Sequence, residues 1–232
     1  MNEEDILKDA LEAEKEVYKE QDEEYHKKQK RNKIIWFVIA LLLVLMFVLW
    51  YIPYDAITLD PEPKNIPKLS DFSFEERYTA YQNVSSPYEY PLLLTPFDSQ
   101  IKRVADKIAV QSCYSNERVC FAKALFYFVR DNFDYVNDPL SFEYVKSAQE
   151  SLLSQGGDCD DASVLLANLM RALGIETRFV FIPGHVYLQI YLPEAVQKYK
   201  EEQHWINLDA TCKNCAFGEI PWNSNKAEKR YV

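Results

Sequence analysis

The chain has 232 residues and a formal net charge of −10, with 48% hydrophobic residues. That length allows one medium domain with appendages rather than two full domains. The acidic balance, with basic residues clustered at only one place, excludes a nucleic-acid-binding surface.

Residues 1–33 are densely charged and hold no glycine or proline. Leu7, Leu11, Tyr18 and Tyr25 recur at helix-like spacing, so this stretch reads either as a weakly self-associating helix or as a solvated cytoplasmic tail. From Ile34 to Ile52 the chain runs IIWFVIALLLVLMFVLWYI, nineteen residues without a charge. As a helix this run spans roughly 28 Å, about the thickness of a bilayer core. Trp36, Trp50 and Tyr51 lie near its ends, where amphipathic rings favour the interface. The preceding segment is too long for a signal-peptide n-region and no small-x-small cleavage site comes after the run, so it reads as an uncleaved, single-pass anchor in the lipid bilayer. Lys27, Lys28, Lys30, Arg31 and Lys33 precede it, whereas only Lys64 and Lys68 lie soon after it. The positive-inside tendency keeps the N-terminus cytoplasmic and sends the C-terminal part outside. Asn83-Val84-Ser85 is an acceptor tripeptide for glycosylation on that side.

Residues 53–96 are rich in proline and tyrosine without sustained periodicity, and read as an extended spacer that partly packs on a C-terminal domain. That globular domain is expected over 97–232. Ile101, Val104, Ala105 and Ile108 have helical spacing, a second helix is expected over 117–132, and a short one over 143–153. After Gly156-Gly157 comes a strongly apolar helix over 162–173, closed by Gly174 in the position that favours a left-handed residue. The period then changes to that of strands over 177–182, 185–192 and 205–210, the first two joined by a Pro183-Gly184 turn. Helices followed by antiparallel strands indicate an α+β fold.

Five cysteines occur: Cys113, Cys120, Cys159, Cys212 and Cys215. An oxidising exterior allows disulfides, and proximity pairs Cys113 with Cys120 and Cys212 with Cys215, leaving Cys159 free. Counting alone permits cross-pairing, and the same four residues offer a rival set of zinc thiolates. Cys159 falls where a glycine loop enters a helix, whose unpaired N–H groups stabilise a thiolate. Asp158, Asp160 and Asp161 oppose this and raise the thiol's pKa, so an imidazolium nearby has to outweigh them.

Three histidines are available, and His26 lies on the cytoplasmic side of the apolar run. On strand 185–192, His185, Tyr187 and Gln189 share one face; on strand 205–210, Trp205, Asn207 and Asp209 do the same. Antiparallel pairing that sets His185 against Asp209 and Tyr187 against Asn207 turns both apolar rows to one core. His204 has the wrong parity and lies roughly 17 Å along the strand from Asp209. Cys159, His185 and Asp209 thus match nucleophile, base and orienter of a cysteine acyl-transfer site.

The pieces GGDCDDASVLLANLMRALGIETRFV, PGHVYLQIYL and WINLDATC resemble, in this order, the transglutaminase-like superfamily, particularly its compact bacterial and archaeal members. The resemblance spans about residues 97–222. It implies a papain-like α+β core with Cys159 as nucleophile, His185 as base and Asp209 as its partner, acting on a peptide or protein amide through a thioester. The superfamily includes cross-linkers, proteases and amidases, and also members without activity, which leaves a binding or scaffold module as the alternative. Animal transglutaminases carry an aromatic residue where Asp160 stands, with extra β-domains and calcium sites absent here. Hydrolysis is therefore expected over calcium-dependent cross-linking, with no metal or cofactor. Gln155, near Cys159 in sequence, is the candidate second oxyanion donor.

Overall fold

The computed structural model describes residues 3–51, 60–74, 84, 86–114, 117–138 and 144–232. Asn83 and Ser85 of the glycosylation tripeptide, and Ile52 of the apolar run, lie outside the described residues. The chain divides into two compact units, Met1–Thr58 and Leu59–Val232.

In the first unit, the charged tail and the apolar run form one continuous helix, α1 (Glu3–Tyr51). No proline or glycine interrupts it before Pro53. Its large apolar side chains, among them Leu41, Phe47 and Trp50, are exposed. This is the reverse of a core helix, and α1 is long and apolar enough to cross a membrane.

The second unit begins with helices. Asp98 caps α2 (Ser99–Ser112) by accepting from the N–H groups of Gln100 and Ile101. Ile101, Val104, Ala105 and Ile108 form its buried stripe. A disulfide from Cys113 to Cys120 ties its end to the first turn of α3 (Arg118–Asn132). A two-residue strand, β1 (Asp134–Tyr135), comes next. The following helix, α4 (Ala148–Ser154), starts later than its spacing predicts. Ser147 and Glu150 form a capping box, and that reciprocal bonding sets the start at Ala148. β2 (Gly156–Gly157) pairs in parallel with β1.

The central helix, α5 (Cys159–Ala172), starts earlier than predicted because Asp158, not a later residue, is its cap. It is buried from Asp161 to Met170, packed on α2, α3 and α4 and, on its other side, on the sheet. Gly174, at φ 73°, ends it, and the Ile175 N–H returns to the Met170 carbonyl.

The sheet comprises β3 (Glu176–Ile182), β4 (His185–Tyr191), β5 (Trp205–Leu208) and, after α6 (Trp222–Lys226), β6 (Arg230–Tyr231). Its order is β5-β4-β3-β6, antiparallel throughout. The face assignments match those read from alternation, but the β4–β5 register differs by two residues. Asn207 stands opposite Gln189, not Tyr187, and Leu208 opposite Leu188. The cause is a tight turn before β5. Gln203 and His204 take positive φ values of 50° and 72°, and the chain doubles back so that Glu201 N–H bonds the Trp205 carbonyl. Because the shift is even, every side chain keeps its face.

Val186, Leu188, Ile190, Ile206 and Leu208 line the core side. The opposite face is also covered: Gln189 donates to Asn207 at 2.7 Å, and the Arg178 guanidinium lies 4.1 Å from the ring centres of both Trp205 and Tyr231. A second disulfide joins Cys212 to Cys215. The four cysteines that suited zinc are thus bonded in two pairs, and Cys159 carries the free thiol.

Candidate active site

Two glycines place the start of α5. The β1–β2 pairing presses the Gly156-Gly157 backbone against Asp134 and Tyr135. A Cβ on Gly157 would lie 2.1 Å from Asp161 Oδ2, so only glycine fits there. Asp161 is itself fully buried; it accepts from the Lys146 N–H at 2.7 Å and pairs with the Lys146 ammonium. Burial pushes its carboxyl up, and the Lys146 contacts oppose that. Of the three aspartates around the sulfur, Asp161 therefore serves as the anchor for the loop ahead of the helix.

Cys159 is the first residue of α5, so its sulfur stands at the helix N-terminus. The strand side of the junction is fixed by Ser163, whose hydroxyl donates to the Val186 carbonyl at 3.3 Å. Cys159 is half-buried, and burial is the largest influence on its thiol. The Val186 N–H faces the sulfur and favours the thiolate, while Asp160 and Asp158 oppose it. The net result is a thiol pushed up to about 12.

His185 opens β4 immediately after the Pro183-Gly184 turn. Its Nε2 lies 2.8 Å from Asp209 Oδ2. In the observed register this contact is diagonal, which brings the two groups together just beyond the last paired rung, Leu188–Leu208. Asp209 is buried and also accepts from the Thr211 N–H and hydroxyl, at 3.1 and 2.6 Å. Burial alone would raise the Asp209 carboxyl, but the His185 contact and the Thr211 bonds outweigh it and hold the pKa low. A carboxylate at Nε2 leaves Nδ1 as the free imidazole nitrogen.

Cys159 and His185 line one open cleft of about 520 Å³. Its walls include Tyr135 from β1, Phe181 and Ile182 from β3, and Ser86, Pro87 and Tyr90. The last three belong to the segment expected to be a spacer. There Ser86 caps a short 3-10 helix, Pro87–Leu93. Tyr90 packs edge-on to Phe179 and Phe181, and its hydroxyl donates to Asp160 Oδ2 at 2.6 Å. The other Asp160 oxygen lies 3.6 Å from the Cys159 sulfur. Sequence reading missed Tyr90; a proline just after a serine was the one local sign of a capped turn.

Gln155 stands elsewhere. It ends α4 in the left-handed region at φ 57°, exposed, and is absent from the cleft wall. His204 lies beside Tyr191, at the opposite end of β4 from His185.

A family model described as the Transglutaminase-like superfamily matches residues 102–210. Among solved structures, the chain is similar to a provisionally assigned cysteine protease from Cytophaga hutchinsonii, with 22% identity and a TM-score of 0.39 over 60% of this chain and 44% of that one. A provisionally assigned protease from Parabacteroides distasonis shows 12% identity and a TM-score of 0.40 over 59% and 31%. LapG from Legionella pneumophila shows 19% identity and a TM-score of 0.35 over 57% and 80%. The chain spans less than half the length of the first two. No curated protein matches it. The core is an α+β, transglutaminase-like fold, with a cysteine heading the central helix and the sheet after it. Cys159, His185 and Asp209 all fall inside the segment, residues 102–210, that matches the transglutaminase-like superfamily.

Proposed function

We propose that this chain is a membrane-anchored cysteine hydrolase or acyltransferase, acting outside the cytoplasm on peptide or protein amides. The observation that carries the reading is the 2.8 Å contact between His185 and Asp209 at the mouth of a cleft that also holds the free thiol of Cys159.

In this mechanism Asp209 holds the Nε2–H tautomer, leaving Nδ1 to take the thiol proton. The thiolate attacks the amide carbonyl carbon, and the N–H groups at the head of α5 stabilise the oxyanion. The C–N bond breaks, His185 returns the proton to the leaving amine, and a thioester remains on Cys159. Water, deprotonated by His185, then releases the acid; an amine in its place gives transamidation. The open cleft and the lack of an aromatic residue after Cys159 favour hydrolysis.

The anchor is α1, and the basic cluster ahead of Ile34 orients its N-terminus to the cytoplasm. Protease protection in sealed right-side-out vesicles tests that orientation: a domain degraded only after the membrane is opened would reverse it.

The chemistry is tested by incubating the full chain in detergent with a peptide library and identifying acyl groups on Cys159 by mass spectrometry. Adducts should disappear in Cys159→Ala. Hydrolysis should fall about 10²–10⁴-fold in His185→Ala and Asp209→Asn, the range for losing a positioned base. One observation favours a second reading, a binding module without turnover: the thiol is pushed up to about 12. A folded, reduced chain that binds peptides but never acylates would establish that reading instead.

A further inference from the structure

Beside the catalytic cleft lies a second hollow, of about 470 Å³. It originates in how β3 and β6 part. Their ladder carries Val180 opposite Tyr231 and Phe181 opposite Arg230, with Phe179 and Val232 exchanging backbone bonds. Two residues past Phe181, Pro183 has no N–H to offer and turns the chain toward β4. The ladder therefore ends, and a gap opens between Ile182-Pro183 and Glu228-Lys229.

Pro87, Phe181, Ile182 and Pro183 make its wall apolar, and Glu228 and Arg230 stand at its rim. Pro87, Phe181 and Ile182 also line the cleft that holds Cys159. The two depressions thus adjoin and share part of their wall. We propose that this hollow is a second substrate subsite, which takes an apolar side chain of the extended polypeptide whose amide lies at Cys159.

This inference rests on the acyl-transfer reading for its occupant, and three features argue for it. The hollow falls within the size range of ligand pockets, about 300–1,000 Å³. Its apolar wall rewards burial of an aliphatic or aromatic group. Its lining carries one acid, Glu228, and two bases, Arg230 and Lys229; Glu201 holds Lys229, so one acid and one base are left exposed to meet either charge in the flanking substrate.

The test uses the full chain in detergent as Cys159→Ala, which can hold a peptide without cleaving it. The probes are peptides drawn from the cleavage library, each paired with a version bearing serine in place of leucine at one scanned position. At one position leucine should bind at least about tenfold more tightly than serine. Glu228→Trp, which sets an indole over the hollow, should abolish that preference; Arg230→Trp is the second blocking variant, and circular dichroism checks that both fold. Absence of any position with an apolar preference, or a preference that survives both tryptophans, overturns the subsite. If the parent chain cleaves peptides with no such preference, the subsite fails and the chemistry stands. If no peptide is ever cleaved but a leucine preference is lost in Glu228→Trp, the subsite stands and the acyl-transfer reading fails.

Discussion

The acidity of Cys159 is decided by neighbours that pull in opposite directions. Burial, Asp160 and Asp158 raise it, while the Val186 N–H lowers it. With the thiol up at about 12, the fraction of thiolate should grow about tenfold per pH unit across the neutral range. Alkylation by iodoacetamide should therefore climb steadily from pH 6 to pH 9 without a plateau. Asp160→Asn removes a negative charge 3.6 Å from the sulfur, lowers the thiol's pKa and should accelerate alkylation at pH 7 by about tenfold. A rate that is flat between pH 5 and 8 would instead mean that a thiolate–imidazolium pair is already formed. At this scale much of the site was legible, because strand parity is a property of local sequence. His185 and Asp209 share a face whichever even register the strands adopt, and so the pair survived a two-residue misplacement. Tyr90 was not legible. Its contact with Asp160 crosses seventy positions of chain and carries no periodicity that could reveal it.

Among the elements, the junction from β2 to α5 has the least freedom. Gly157 lies so near Asp161 that a methyl group cannot be added without moving the carboxylate off Lys146. Gly157→Ala should destabilise the fold by about 1–3 kcal/mol, the usual range for overpacking a closed site. It should also reduce Cys159-dependent hydrolysis, since the head of α5 must shift. Thermal melting and peptide turnover measured together check this; an unchanged melting temperature would show that the loop yields freely. The glycine pair marked a break in the sequence, but the helix after it was started at Ala162 rather than at Cys159. An aspartate that caps a helix and one that lies in its first turn look alike in a run of three acids. The start of α4 was missed for a similar reason: Tyr144 and Val145 suit a helix by composition, yet the Ser147–Glu150 capping box begins it later.

For the molecule as a whole, the segment just past the end of α1 is bound to the domain by charge. Lys123 of α3 is wholly buried, and its ammonium meets Asp60 at 2.5 Å and Glu62 at 2.6 Å. The Tyr199 ring lies 5.0 Å away, and its hydroxyl donates to Asp60 at 3.0 Å. Lys198 pairs with Asp60 from the other side. Composition read this stretch as a proline-rich spacer, because a lone lysine in an apolar helix does not announce its partners. The two ways of breaking the cluster should differ in cost. The Glu62 side chain is 59% exposed whereas Lys123 is 0% exposed, so water can solvate the acid when its partner goes but cannot reach the base. Asp60→Asn with Glu62→Gln strands a buried ammonium and should destabilise the domain by up to about 3–5 kcal/mol. Lys123→Met removes the buried charge itself and leaves Asp60 with Lys198, so it should cost well under half as much. Chemical denaturation of the three proteins gives the comparison, with limited proteolysis around residue 60 as a second readout. The double variant should release that segment to protease while Lys123→Met keeps it protected. Equal losses in both would mean that pairing strength, not desolvation of the lysine, holds the segment in place.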